Sequence, residues 1–152
     1  MKHLSSILLS IGVILSVVAI ILPQWSVMDS ATVSTDVGLF EACLDVKVGD
    51  LESVCKSSSS LDPPPKDILV SQILSIVGTV GLAVGAVMCM MMKPRYSKLA
   101  AGLGVACLTA VLIVYATVTN KDSGYDLGAS YWLELSAAVV GLLGLFVPAA
   151  KK

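Results

Sequence analysis

Charge is scarce in this chain. Asp, Glu, Lys and Arg make up 14% of its 152 residues, where ordinary globular chains carry about a quarter. A soluble domain of this length has too high a surface-to-volume ratio to hide so much apolar surface. The scarcity therefore argues against a water-soluble globule and for lipid as the solvent. Histidine is scarcer still: His3 is the sole one and sits at the N-terminal end, which excludes a histidine-dependent nucleophile or metal site. No glycine-rich loop stands before a basic residue in a phosphate-binding context, and the acids lack a clustered set of partners. The ten basic residues are split among several places, which argues against a nucleic-acid partner. The expectation is no enzyme, no cofactor and no metal.

What the chain has in abundance is long apolar runs. Leu4–Leu22, Ile68–Met92 and Leu99–Val118 carry no charge, and Leu127–Ala150 carries one acid, Glu134. Each meets the requirement of about 20 residues for a helix crossing a ~30 Å hydrocarbon core. None shows the alternation at about ten residues that a spanning strand requires, and in lipid a helix satisfies its own backbone. The reading is a membrane all-α four-helix bundle with helices at about 4–22, 68–92, 99–118 and 127–150. Two connections then share one side, a long loop over 23–67 and a short one over 119–126. Lys2, His3 and the small residues Val17-Val18-Ala19 also fit a cleaved signal peptide, but the run of 19 residues exceeds the usual 7–15 of such a region. The first helix is expected to remain.

Charge sets the expected orientation. The side with the termini holds Lys2, Lys93, Arg95, Lys98, Lys151 and Lys152 and no acid. The opposite side holds Lys47, Lys56, Lys66 and Lys121 against ten acids, 4 minus 10 or a net of −6. The positive-inside rule puts both termini in the cytoplasm. The long loop then faces an oxidising space, and a bond between its Cys43 and Cys55 closes about a dozen residues, worth roughly 3 kcal/mol in chain entropy; the alternative is two free thiols. Cys89 lies near the cytoplasmic end of the second helix and is a palmitoylation candidate, or simply a small packing residue, as Cys107 is.

Within the long loop, Ala31–Thr35 and Leu44–Val48 suit pleated strands, and Gly49-Asp50 reads as a turn before a third run, Ser53–Lys56. A small extracellular antiparallel β-sheet follows. Ser57–Ser60 and Pro63-Pro64-Pro65 read as a linker. In the helices, Gly81 and Gly85 with Gly78, then Gly102 with Gly104 and Gly141 with Gly144, form small-residue faces suited to close packing inside the bundle. Glu134 is a functional candidate by default, although its place near the outer end of the fourth helix suggests that it snorkels to the interface.

Trp25, then Gly38-Leu39-Phe40, then Cys43 and Cys55 resemble the claudin signature of Trp, Gly-Leu-Trp, Cys and Cys in the first extracellular segment. Leu127-Gly128-Ala129-Ser130, leading into Ser136–Gly144, looks like the start of the fourth claudin helix. The order is shared more loosely with peripheral myelin protein, epithelial membrane proteins and calcium-channel γ subunits. The resemblance implies a multi-pass plasma-membrane protein of cell–cell junctions, self-associating in cis and also in trans, that forms a paracellular barrier or a cation-preferring pore. It implies that residues near the first cysteine set charge selectivity. Asp45 is the first candidate and Asp50 and Glu52 the next, each of which can equally be an ordinary solvated loop acid. Lys56 would oppose cation flow if it faced the same path. A different role within the superfamily is an accessory subunit of a channel or receptor. The chain departs from the family in several places. Phe40 replaces the second Trp, and the cysteines stand further apart than usual. The three prolines interrupt a segment that is a short helix in claudins. Gln72 is the nearest polar group where a basic residue usually opens the second helix. The second loop is short, and Lys151-Lys152 show no PDZ-binding motif.

Overall fold

The structure, a computed structural model, describes residues 4–29, 32–46, 54–57, 66–91, 94–119 and 126–147. Among the described residues, four helices and five strands follow in the order α1 (Leu4–Ile21), β1 (Ser26–Asp29), β2 (Val33–Val37), β3 (Glu41–Val46), β4 (Val54–Ser57), α2 (Lys66–Met90), α3 (Pro94–Thr119), β5 (Asp126–Leu127) and α4 (Ala129–Phe146). All four helices are long and apolar enough to cross a membrane. At 1.5 Å per residue, the 18 residues of α1 and of α4 extend about 27 Å.

The helices turn many of their large residues outward. The buried stripe of α1 is Ser6, Leu9, Gly12, Ser16 and Ala19, and that of α4 is Ser130, Glu134, Ala137, Ala138, Gly141 and Gly144. Ile7, Ile11, Ile14, Val80, Leu103, Ile113 and Phe146 instead point away from the bundle, Phe146 with 77% of its surface exposed. In water such a surface is a large apolar patch of the kind soluble monomers avoid. In lipid there is no gain in hiding it, and helices associate through small residues and close van der Waals contact. The multi-pass membrane reading rests on this inversion as well as on helix length.

The tightest seam joins α2 to α3. A Cβ on Gly81 would lie 2.8 Å from the Gly104 Cα, and one on Gly85 would lie 2.7 Å from the Ala101 Cβ. No larger side chain fits without separating the helices. Gly78 meets Leu108 on the same face, and Gly141 meets Leu82 and Val105. Gly102 differs from this pattern: nothing lies within 4 Å of a Cβ built on it, so it takes no part in the seam. α1 packs chiefly on α4, and α2 bridges to α1. Leu9, Leu82, Ala101, Val105, Leu108 and Ala137 form the shared core.

α3 begins at Pro94 rather than at the first apolar residue, Leu99. Proline is well suited to a first helical turn, where its missing N–H has no partner to lose, and the turn it starts carries the exposed Arg95 and Lys98. Glu134 does not snorkel. It is fully buried, with 0% of its surface exposed, because position 134 falls on the stripe shared with Ser130, Ala137, Ala138 and Gly141, which turns inward towards α1 and α2.

The strands form one antiparallel sheet in the order β4-β3-β2-β1-β5. It is more extensive than the loop pattern indicates. Ser26–Asp29 forms a strand of its own ahead of Val33–Val37, and Asp126–Leu127 from the α3–α4 connection pairs with Ser26 and Val27. The Gly49-Asp50 turn and the linker over 58–65 lie outside the described residues.

Candidate functional site: the acidic sheet face and its anchor

The sheet is seated on the helix ends by the segment around Trp25. Pro23 ends α1, and Trp25 turns back beneath the sheet, fully buried. Its indole N–H donates to the Ala19 carbonyl at 2.8 Å, which uses one of the carbonyls a helix C-terminus leaves unpaired. Its ring leans on Tyr115 of α3 at a centroid distance of 5.1 Å and 58°. The Tyr115 hydroxyl reaches up to Ser26 Oγ at 3.2 Å and to the Val37 carbonyl at 3.3 Å. Leu39, also fully buried, joins Ala19, Trp25, Val111 and Tyr115, with Phe40 half-buried beside them.

Backbone contacts lock the same place. The Trp25 N–H donates to the Val37 carbonyl at 3.1 Å, and the Gly38 N–H to that of Glu41 at 2.8 Å. Gly38 passes so near Pro23 that a Cβ would lie 2.6 Å from its Cα. Gln72 of α2 donates its side-chain N–H to the Leu39 carbonyl. From the other connection, the Gly128 N–H donates to the Trp25 carbonyl and the Ser130 N–H to that of Gln24, at 2.8 and 2.9 Å. The structure thus gathers Trp25, Gly38, Leu39 and Phe40 at one anchor. Phe40 also lines, with Ile20, Ile21, Leu22, Pro23 and Glu41, an open cavity of about 330 Å³ beside the end of α1.

Cys43 and Cys55 are bonded and stand directly opposite each other on β3 and β4, their Cα atoms 4.1 Å apart. The pairing register decides the rest, since side chains alternate between the two faces of a sheet. Asp45 and Glu41 share the Cys43 face of β3. Asp36 pairs with Cys43, so it lies on that face too. Val27 pairs with both Asp36 and Asp126, and Asp29 stands two residues on from Val27. All five described acids of the sheet, Asp29, Asp36, Glu41, Asp45 and Asp126, therefore occupy one face, and that face carries no described base. No two stand directly opposite: Asp45 and Asp29 each face Ser34, Asp36 lies between Cys43 and Val27, and Glu41 meets Ser57. That spacing avoids the penalty of directly paired like charges while keeping the field of one sign.

Lys56 pairs with Ala42 and so falls on the opposite face, with Met28, Val33, Thr35, Val37, Leu44 and Val54. It does not share the face of Asp45. Both residues are exposed. Asp50 and Glu52 lie outside the described residues. Cys89 sits at the far end of α2, half-buried against the bundle core. Tyr115 is an anchor residue that sequence reasoning passed over, a lone tyrosine in an apolar run being the only signal it leaves; Ser130, singled out as part of the start of the fourth helix, is placed at the same anchor. Among the described residues no group of His, Cys, Asp and Glu is placed to hold a metal ion.

The class these features define is a four-helix, membrane-crossing bundle carrying a disulfide-stapled antiparallel sheet at one end. No family model and no curated protein matches the chain.

Proposed function

We propose that the chain is a claudin-like cell-contact protein of the plasma membrane, with both termini in the cytoplasm, whose sheet stands outside the cell and lines a paracellular barrier or a cation-preferring pore. The observation that carries the reading is the one-sided sheet: a stapled platform, fixed to the bundle at Trp25 and Leu39, with five acids on one face. A surface of one sign concentrates cations and repels anions. The basic residues at the far end of the bundle, Arg95 and Lys98 among them, support the orientation.

The test is expression in epithelial cells that lack junction strands, with freeze-fracture imaging of contacts and measurement of sodium and chloride permeability across the monolayer. The expected result is strands at contacts and a changed permeability that favours sodium. Contacts without strands and an unchanged permeability would sink the barrier reading and leave the fold intact.

A specific feature favours a second reading, an accessory subunit that modulates a channel or receptor. The α3–α4 connection spends Asp126 and Leu127 on pairing with β1, which leaves only residues 120–125 between α3 and β5 to reach an opposing cell. A lateral partner within the same membrane makes less demand on that connection. Under this reading the protein sorts to the cell surface with an intact sheet, forms no strands, and shifts the gating of a co-expressed partner.

A further inference from the structure

The open cavity beside the end of α1 joins two surfaces of different chemistry. One is a lipid-facing ridge. Ile7, Ile11, Ile14, Val18 and Ile21 follow one another at intervals of four, three, four and three residues, which places them on one face of α1, and all five are exposed. The 18 residues of α1 extend about 27 Å, close to the ~30 Å thickness of a hydrocarbon core. Its last turn therefore stands at the headgroup layer. Ile21, the end of the ridge, is also part of the cavity wall.

The other surface is the turn over Gly38–Glu41. The Gly38 N–H donates to the Glu41 carbonyl at 2.8 Å, Leu39 is buried in the anchor, and Ser57 Oγ donates to the Phe40 carbonyl at 3.4 Å. Those contacts hold the backbone of Phe40 and Glu41, which complete the wall made by Ile20, Ile21, Leu22 and Pro23. At about 330 Å³ the cavity has the size of a small ligand site, and its wall is apolar with one ring and one carboxylate. Glu41 is exposed, and its face of the sheet carries no described base.

The ridge suits an acyl chain and the carboxylate suits a cation, so the matching occupant is an amphiphile with a cationic end. A sterol brings a hydroxyl and no charge. An anionic phospholipid would set its net charge against Glu41 and the acids that share its face. A choline head ends in a quaternary ammonium, which has no hydrogen to donate and is recognised by negative charge and by aromatic faces. We infer that the cavity holds the headgroup of one choline phospholipid from the leaflet next to the sheet. Its ammonium lies against Glu41 and Phe40, its phosphate stays in water at the open side, and an acyl chain follows the ridge of α1. Such a site requires the membrane-crossing bundle and its sheet, and is independent of any cell-contact role.

Native mass spectrometry of the full chain tests it, after release from nanodiscs holding equal amounts of phosphatidylcholine, phosphatidylethanolamine and phosphatidylglycerol with the same acyl chains. The expected result is a retained lipid in which phosphatidylcholine is in excess over both others. Glu41→Gln should lower the excess over phosphatidylglycerol about two- to fivefold, the scale of an exposed charge contact. Phe40→Leu keeps an apolar wall without the ring and should lower the excess over phosphatidylethanolamine by a similar factor. Asp45→Asn removes a charge from the same face outside the cavity and should change the excess least. Glu41 is exposed, so its glutamine variant should keep the parent's thermal midpoint, and that arm decides even if Phe40→Leu fails to fold. Equal retention of the three lipids, an excess unmoved in Glu41→Gln, or equal losses in Glu41→Gln and Asp45→Asn would each overturn the assignment, the last by giving the preference to the charge of the whole face.

Discussion

In the bundle many large side chains look outward, and the buried stripes of α1 and α4 are rich in small ones; at the foot of the sheet the largest side chain, Trp25, is fully hidden. The difference follows from the two solvents. Helices in lipid gain nothing by burying leucine or isoleucine, so their cohesion comes from close approach at Gly81, Gly85 and Gly104 and from a few hydroxyl contacts. A sheet of short strands at the edge of the membrane must be held in the ordinary way, by apolar burial, a buried indole hydrogen bond and a covalent staple. Acids follow the same division. Five stand outward on the sheet, each opposite a neutral neighbour, and one is enclosed among the serines of the bundle.

Substitutions that exchange the two rules should have the largest effects. Trp25→Ala empties a fully buried site and breaks the bond to the Ala19 carbonyl; a loss of about 3–5 kcal/mol is expected for such a truncation, read as a lowered midpoint of thermal unfolding in detergent. Removing the staple with Cys43→Ser and Cys55→Ser together should cost about 3 kcal/mol by chain entropy, and should show as protease sensitivity confined to the sheet while the helices stay protected. Gly104→Val drives a branched side chain into α2 and should cost about 1–3 kcal/mol as an overpacked seam, measured by the same thermal scan. An unchanged midpoint would mean that the helices do not rely on close approach.

The charge predictions are smaller in energy and sharper in pattern. Asp45→Asn should lower the preference for sodium over chloride in monolayers, and Asp36→Asn should lower it in the same direction because it shares the face. Lys56→Gln should change that ratio least, since Lys56 stands on the other face and exposed charges are screened over about 8–10 Å in physiological salt. Equal effects of Asp45→Asn and Lys56→Gln on the ratio would break the one-sided picture.

The spans were legible because about twenty uncharged residues in lipid have one backbone solution. The strands Val33–Val37 and Glu41–Val46 overlap the runs whose alternation showed in the sequence. β5 did not, since two residues carry no periodicity and its pairing with Ser26 and Val27 is tertiary. Parity along β3 already put Glu41 and Asp45 together, but joining Asp29, Asp36 and Asp126 to them requires the register between strands. The axial position of Glu134 was readable and its surroundings were not, because Ser16 and Ser75 are 118 and 59 residues away in the chain and nothing local shows which helix faces they share. The Trp25 anchor was marked by its signature residues, while Tyr115 was hidden among aliphatic neighbours.

The two-residue strand β5 bears on how the protein is made. Asp126 and Leu127 reach β1 only after α3 has crossed the membrane, and Gly128 and Ser130 secure Trp25 and Gln24 as α4 begins. Until then the outer edge of β1 presents unpaired backbone groups to whatever is near. A chain halted after its second helix would carry a stapled sheet with an open margin at β1. Completion of the sheet therefore depends on the connection between α3 and α4, and not only on the loop that holds the other four strands.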